Sequence, residues 1–243
     1  GTFAFGWRII LTTGTGSIFG FLVAREAYST AILAPLFIVM SLLYGTAVYY
    51  LILRVISKYH ETYISKDILD NLKKLSTMFL FANLYFLALY HMTNMYIAKH
   101  LDFEIFILSS GGVYTLAFWL GQVIIGIVIP IILLNSKKLP SHMVLISSSI
   151  MILLGSFIAM YVIIIGGQAY PLTIFPDHMI IESAFYDNVV HSYVPSIYEL
   201  GLGIGGVALA LIIILVGIAN FKFLPTMISS PKSIDAVDNT SNN

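Results

Sequence analysis

Charged residues cluster along this chain and leave long apolar stretches between them. No Asp, Glu, Lys or Arg interrupts 27–53, 75–98, 105–136, 139–176 or 200–221. Each stretch exceeds the roughly 18–20 residues that cross a bilayer core as a helix. Apolar and polar residues do not alternate within these runs, and each is too long for a barrel strand, so the pattern predicts helices. A sixth, weaker segment lies between Arg8 and Arg25, with Trp7 and Arg8 at its interface and the arginine snorkelling. The predicted spans are 4–23, 31–53, 75–98, 110–134, 143–166 and 201–221. They make residues 1–228 an all-α, polytopic transmembrane helix bundle. Residues 229–243 are rich in Ser, Asn and Asp and read as a disordered polar tail. The chain opens on Gly1 within an apolar region, which reads as a fragment lacking its start.

Composition agrees with this picture and narrows it. Of 243 residues 58% are hydrophobic and 10% charged, with a mean hydropathy of +0.92, against roughly 25% charged in a soluble domain. A soluble enzyme and a nucleic-acid binder are excluded. There is no Cys, so no disulfide, thiolate-held iron–sulfur cluster or thiol nucleophile is expected in this chain. Ten of the 12 basic residues fall on one side of the predicted bundle: Arg8, Arg54, Lys58, Lys66, Lys73, Lys74, Lys137, Lys138, Lys222 and Lys232. Only Arg25 and Lys99 fall on the other. The positive-inside rule makes the first side cytoplasmic, in a cell membrane, with both ends of the chain inside. The 167–200 connection then lies outside, where it caps that face, receives a partner or is simply a solvated loop.

Polar groups inside spans are costly and are candidates for function. In the third span Tyr90, His91 and Asn94 lie two to three turns beyond Asn83 on one helical stripe, with His91 and Asn94 in the outer half. Such a pair suits a hydrogen bond to a quinone carbonyl or a proton relay. The other use of such groups is an interhelical hydrogen bond, worth about 0.6 kcal/mol on average. In the fourth span Tyr114 and Gln122 share a face with Phe118. A bis-histidine haem site needs two facing histidines at one depth. Of the six only His91 lies within a span, whereas His60, His100, His142, His178 and His191 lie in loops or at span ends, so no haem and no metal site are expected. No Asp or Glu falls within spans two to five, so no buried carboxylate is expected to do chemistry.

Four motifs then fall in order along the chain. They are Ala24-Arg25-Glu26-Ala27-Tyr28 followed by Leu33-Ala34-Pro35-Leu36-Phe37, then Phe118-Trp119-Leu120-Gly121-Gln122 through Pro130, then Tyr161 to Gly166-Gly167-Gln168, and finally Tyr193-Val194-Pro195-Ser196 with Glu199. In that order they resemble the NrfD/polysulfide-reductase family of integral membrane subunits. The chain departs from the family pattern at Met160, where members often have Arg, and at Gly14-Thr15-Gly16. The resemblance implies a haem-free, quinone-reactive anchor that exchanges electrons with an iron–sulfur, ferredoxin-like subunit, commonly joined to a molybdopterin catalytic subunit. Members have more spans than this chain, which implies missing N-terminal helices.

Together these readings predict the quinone/quinol-reactive subunit of a multisubunit oxidoreductase, inactive alone. His91 is expected to exchange the proton, because imidazole titrates near neutrality. Asn94 and Tyr90 assist it, and Tyr114 and Gln122 line the quinone pocket or a proton path. The alternative is a non-catalytic anchor or proton-conducting coupling subunit. A secondary transporter would need an inverted repeat and broken midplane helices, neither of which is visible.

Overall fold

The computed structural model describes residues 1–59, 64–136, 139–171, 190 and 193–220. Among them the chain is helical, with no strand. The main helices are α1 (Thr2–Gly20), α2 (Leu33–Tyr59) and α3 (Lys66–Tyr96). A tight turn, Ala98–His100, leads into the short helix α4 (Leu101–Ile105) and a wide π-helical turn, Phe106–Ser110. Then come α5 (Val113–Asn135), α6 (Ser141–Ala169) and, in a separate compact unit, α7 (Ile197–Asn220).

Five of these helices, α2, α3, α5, α6 and α7, are long and apolar enough to cross a membrane. They match the predicted spans two to six. The first predicted span also forms a helix but is not apolar enough to count among them. Gly6, Gly14, Gly16 and Gly20, three threonines and Arg8 dilute it. The Thr12, Thr13 and Thr15 hydroxyls donate back to the carbonyls of Arg8, Ile9 and Leu11, four residues earlier. They are therefore satisfied within α1 and do not bind across to a neighbour. Gly16 is the contact point: a Cβ there would lie 2.8 Å from the Ala34 Cα on α2.

The bundle core follows from spacing. On α2 the buried positions Leu33, Leu36, Met40, Leu43, Ala47 and Tyr50 recur every three or four residues, the stripe that faces a neighbouring helix. On α3 the equivalent stripe is Leu72, Ser76, Leu80, Asn83, Leu87, Tyr90 and Asn94, so core positions there are partly polar. At one end of the bundle Tyr50 donates to the His142 carbonyl (3.0 Å) and Lys73 to the Ser141 hydroxyl (2.8 Å). Helix α3 starts at Lys66 rather than 75, because Asp67, Asp70, Lys73 and Lys74 extend it as a helix beyond its apolar window.

Between α5 and α6 the backbones nearly touch. A Cβ on Gly126 would lie 2.8 Å from the Gly155 Cα, and one on Gly121 would meet Ile158 at 2.6 Å. Only small residues permit such an approach.

Helix α7 begins with a reciprocal cap. The Ser196 N–H donates to the Glu199 carboxylate (2.6 Å) and the Glu199 N–H to the Ser196 hydroxyl (3.3 Å). The Pro195-Ser196-x-x-Glu199 motif is thus a capping box that starts a helix. The predicted polar tail, 229–243, and most of the 167–200 connection lie outside the described residues.

Candidate functional site

Where α3 ends, the chain turns back into the bundle. Residues 99–109 join the third and fourth predicted spans, and part of this connection packs inward: Phe103, Phe106 and Ile107 are buried, and so is Glu104, whose exposure is 0%. Apolar residues at i, i+3 and i+4 drive this return, and Glu104 sits beside them on the same short helix. Gly112, at φ +57°, reverses the chain into α5, a conformation open to glycine.

Glu104 lies between two predicted spans, so the absence of Asp and Glu within spans two to five holds, yet this carboxylate is buried. Its Oε2 lies 2.7 Å from the His91 Nδ1, and its Oε1 accepts from the Asn94 Nδ2 at 2.9 Å. On its other side Asn94 meets His100, with the His100 Nδ1 3.2 Å from the Asn94 Oδ1. His100 is itself buried. Burial, followed by the nearby Lys99, pushes its imidazole below its ordinary value of 6.5, against a smaller opposing pull from Glu104.

His91 is held on three sides. Its ring meets Tyr90 edge-on at 5.0 Å and Phe118 at 4.8 Å, with Glu104 at Nδ1. Beside it opens a small cleft walled by Leu36, Leu87, Phe103, Ile107, Phe118 and Val162. Tyr90, His91 and Gln122 are the polar side chains on its lining. Gln122 is 4% exposed, and its Oε1 has no hydrogen-bond partner.

Wide helical turns shape this cleft. Three π-helical stretches, Phe106–Ser110, Ala117–Val128 and Val162–Gly166, each contribute lining residues. A π turn displaces carbonyls from the regular ladder, and such turns often accompany functional sites. Side chains take up the displaced groups. The Trp119 indole donates to the Leu108 carbonyl (3.0 Å) and the Thr115 hydroxyl to that of Phe106 (3.0 Å). The Tyr28 hydroxyl lies 2.9 Å from the Ile163 carbonyl and 3.2 Å from that of Ile164.

Tyr28 belongs to the buried link between α1 and α2, where Ser29 adopts φ 65°. Burial pushes its hydroxyl up to about 12, with Arg25 opposing weakly, so it stays a donor. Tyr90 anchors the same link by donating to the Ala27 carbonyl at 2.6 Å. The Arg25 Nη1 donates to the carbonyls of Gln168 (2.9 Å) and Tyr170 (3.0 Å), joining the Ala24-Arg25 motif to the Gly167-Gln168 motif.

Of the residues expected at the site, Tyr90, His91 and Gln122 line the cleft, whereas Asn94 does not and instead bonds Glu104, which meets His91. Tyr114 does not line it. That ring stacks on Tyr161 at 5.8 Å and packs against Phe106 at 5.7 Å. Among the described residues no group of three or more His, Cys, Asp and Glu is placed to hold a metal.

The sequence profile of the polysulphide reductase NrfD family matches residues 2–171. The chain belongs to that family. It is an integral membrane protein of the all-helical, polytopic kind, and its cleft lies wholly within the matched region. It is also 30% identical, over 227 residues and 90% of its own length, to a protein of Archaeoglobus fulgidus named Hdr-like menaquinol oxidoreductase integral membrane subunit. The chain spans 56% of that relative's length. No solved structure matches this NrfD chain.

Proposed function

We propose that this chain is the quinone-interacting membrane subunit of an oxidoreductase complex and that the ring of a quinone or quinol occupies the cleft beside His91. The observation that carries this reading is the cleft itself. Its walls are largely apolar, with His91, Tyr90 and Gln122 as the polar groups among them, the make-up of a site for an apolar ring with a few polar substituents. The Archaeoglobus relative's name supports a menaquinone-type ligand. His91 exchanges the proton, Tyr90 positions the wall, and Gln122 offers a second hydrogen bond. Tyr114 supports the wall from behind Phe106.

In this reading electrons are exchanged with a neighbouring subunit. The proposed acceptor or donor is an iron–sulfur, ferredoxin-like protein, with a molybdopterin catalytic subunit beyond it. The distribution of Lys and Arg supports a cell-membrane orientation with the cleft nearer the outer face and the chain ends inside.

The purified complex tests this directly. It is expected to carry extractable quinone and to be stabilised by a quinol-site inhibitor, with His91→Ala abolishing that stabilisation. A complex free of quinone and indifferent to such inhibitors would overturn the reading.

A proton-conducting coupling role also has an observation behind it. Ser76, Asn83, Gln122, Ser148 and Ser149 are buried polar residues of the bundle, and the Gln122 Oε1 and Ser148 Oγ have no partner among the protein atoms. Ordered water is the usual remedy for such groups. Loss of proton uptake in Asn83→Leu with quinol binding intact would favour coupling.

A further inference from the structure

We propose that the cavity beside Gly126 and Gly155 is a binding site for an internal water molecule, held by one polar side chain from each of four helices. Tyr44 of α2, Asn83 of α3, Gln122 of α5 and Ser156 of α6 all line it. Each lies well inside its helix, away from both ends. At such depth a bilayer core supplies no solvent to satisfy polar groups. The space exists because Gly126 and Gly155, which also line it, carry no side chain to fill it.

A buried group without a partner marks the ligand. Gln122 is 4% exposed and Asn83 6%, and the Gln122 Oε1 has no hydrogen bond to protein. Turning the amide over would leave the same position unpartnered. Such a group is costly to strand away from water. The Ser156 hydroxyl donates to the Leu153 carbonyl (2.7 Å), which leaves its oxygen an acceptor. The two amides bring both donors and acceptors. The hydrogens and lone pairs of a water thus have counterparts around one small space. Apolar cavities stay dry, whereas polar ones with several partners hold water.

No charged side chain lines this cavity, so an ion there would be uncompensated. Its small volume suits water rather than an organic ligand. The bound water joins α2, α3, α5 and α6 through one hydrogen-bonded node. Gln122 also lines the cleft beside His91, so the same water steadies an amide that forms part of that wall. The water site is separate from the cleft and stands whether or not a quinone is the ligand there.

Radiolytic hydroxyl labelling of the full complex, with no quinone added, tests this. Radicals formed from a bound water oxidise the side chains around it. Ile127 and Ile152 are buried and line the cavity, and both are expected to be labelled. Leu33 and Leu80, equally buried but outside the cavity, are expected to stay unlabelled. In Asn83→Leu the label is expected to be lost and Tm to fall, because the apolar side chain displaces the water and strands Gln122. A dry cavity gives the opposite result: no label at either isoleucine in the wild type, and an unchanged or raised Tm in Asn83→Leu, which fills empty space. Either outcome overturns the proposal, as does a label that persists undiminished in folded Asn83→Leu. If that variant does not fold, the wild-type labelling decides alone.

Discussion

Two neighbouring regions of this bundle meet on α5 and are built in opposite ways. At the α3–α4 corner His91, Asn94, His100 and Glu104 join through hydrogen bonds of 2.7 to 3.2 Å. At the α5–α6 seam Gly126 and Gly155 bring two backbones together with no side chain between them. Gln122 belongs to both, lining the cleft beside His91 and a second, smaller cavity beside Gly126 and Gly155. The corner places polar groups in an apolar setting and is stable only while every partner is present. The seam has no polar partner to lose, but it tolerates no added volume. The proposed chemistry belongs to the first, and the second holds Phe118 and Gln122 beside it.

Enlarging the seam is expected to have the greatest effect. Gly155→Leu forces a branched side chain into the Gly126 backbone and should cost about 3 kcal/mol or more, seen as lost folded protein and a lowered Tm. Ligand affinity of the fraction that folds should fall too, because Gln122 moves with α5. A folded, fully stable Gly155→Leu protein would erase the distinction between the two regions.

Breaking the corner comes next. His91→Ala strands the buried Glu104 carboxylate and should cost about 3 kcal/mol. His91→Ala combined with Glu104→Ala should cost clearly less than the sum of the two single changes. A denaturation double-mutant cycle measures this coupling, and strict additivity would show that the 2.7 Å contact carries no energy.

Tyr28→Phe removes one hydroxyl from the carbonyls of the π turn at Ile163. About 1 kcal/mol of stability should go with it, and amide exchange should accelerate locally around 163–168 while the seam keeps its protection.

The smallest effect is one of pH. Burial and Lys99 depress His100 below 6.5, so in this range the unfolded chain binds more protons than the folded one. The His100 contribution is therefore complete above about 6.5 and is lost as pH falls through the lower folded value. Thermal unfolding followed from neutral to mildly acidic pH should show a decline that His100→Gln flattens. An unchanged slope in that variant would place the acid sensitivity elsewhere.

Much of this was legible in the linear pattern, and the exceptions have identifiable causes. Charge-free runs located the five apolar helices, and the offsets among Asn83, Tyr90, His91 and Asn94 put these residues along one side of α3. The Thr/Gly segment 4–23 was harder to judge, because its helix forms from local hydrogen bonds while its hydropathy stays low. Tyr114 shares a face with Gln122 by spacing, yet that face is wide enough for one residue to meet the cleft and the other to meet Tyr161. Glu104 was missed because hydropathy averaged over a span gives a lone carboxylate next to Lys99 and Asp102 the look of a loop. A helical reading of Phe103, Phe106 and Ile107 was the signal that it turned inward.

The sequence by itself determined that this is a helical membrane protein, which family it resembles, and that His91 is the one histidine inside the spans it predicts. Those properties depend on composition and on near-neighbour spacing, which the covalent chain carries directly. Only the tertiary structure decided that His91 has a carboxylate partner, that Asn94 lies between Glu104 and His100, and that Gln122 reaches the same cleft. Each of these depends on where the chain re-enters the bundle after Tyr96. That re-entry is set jointly by the burial of Phe103, Phe106 and Ile107, the turn at Gly112 and the glycine seam behind it, and no local pattern in the chain encodes their sum.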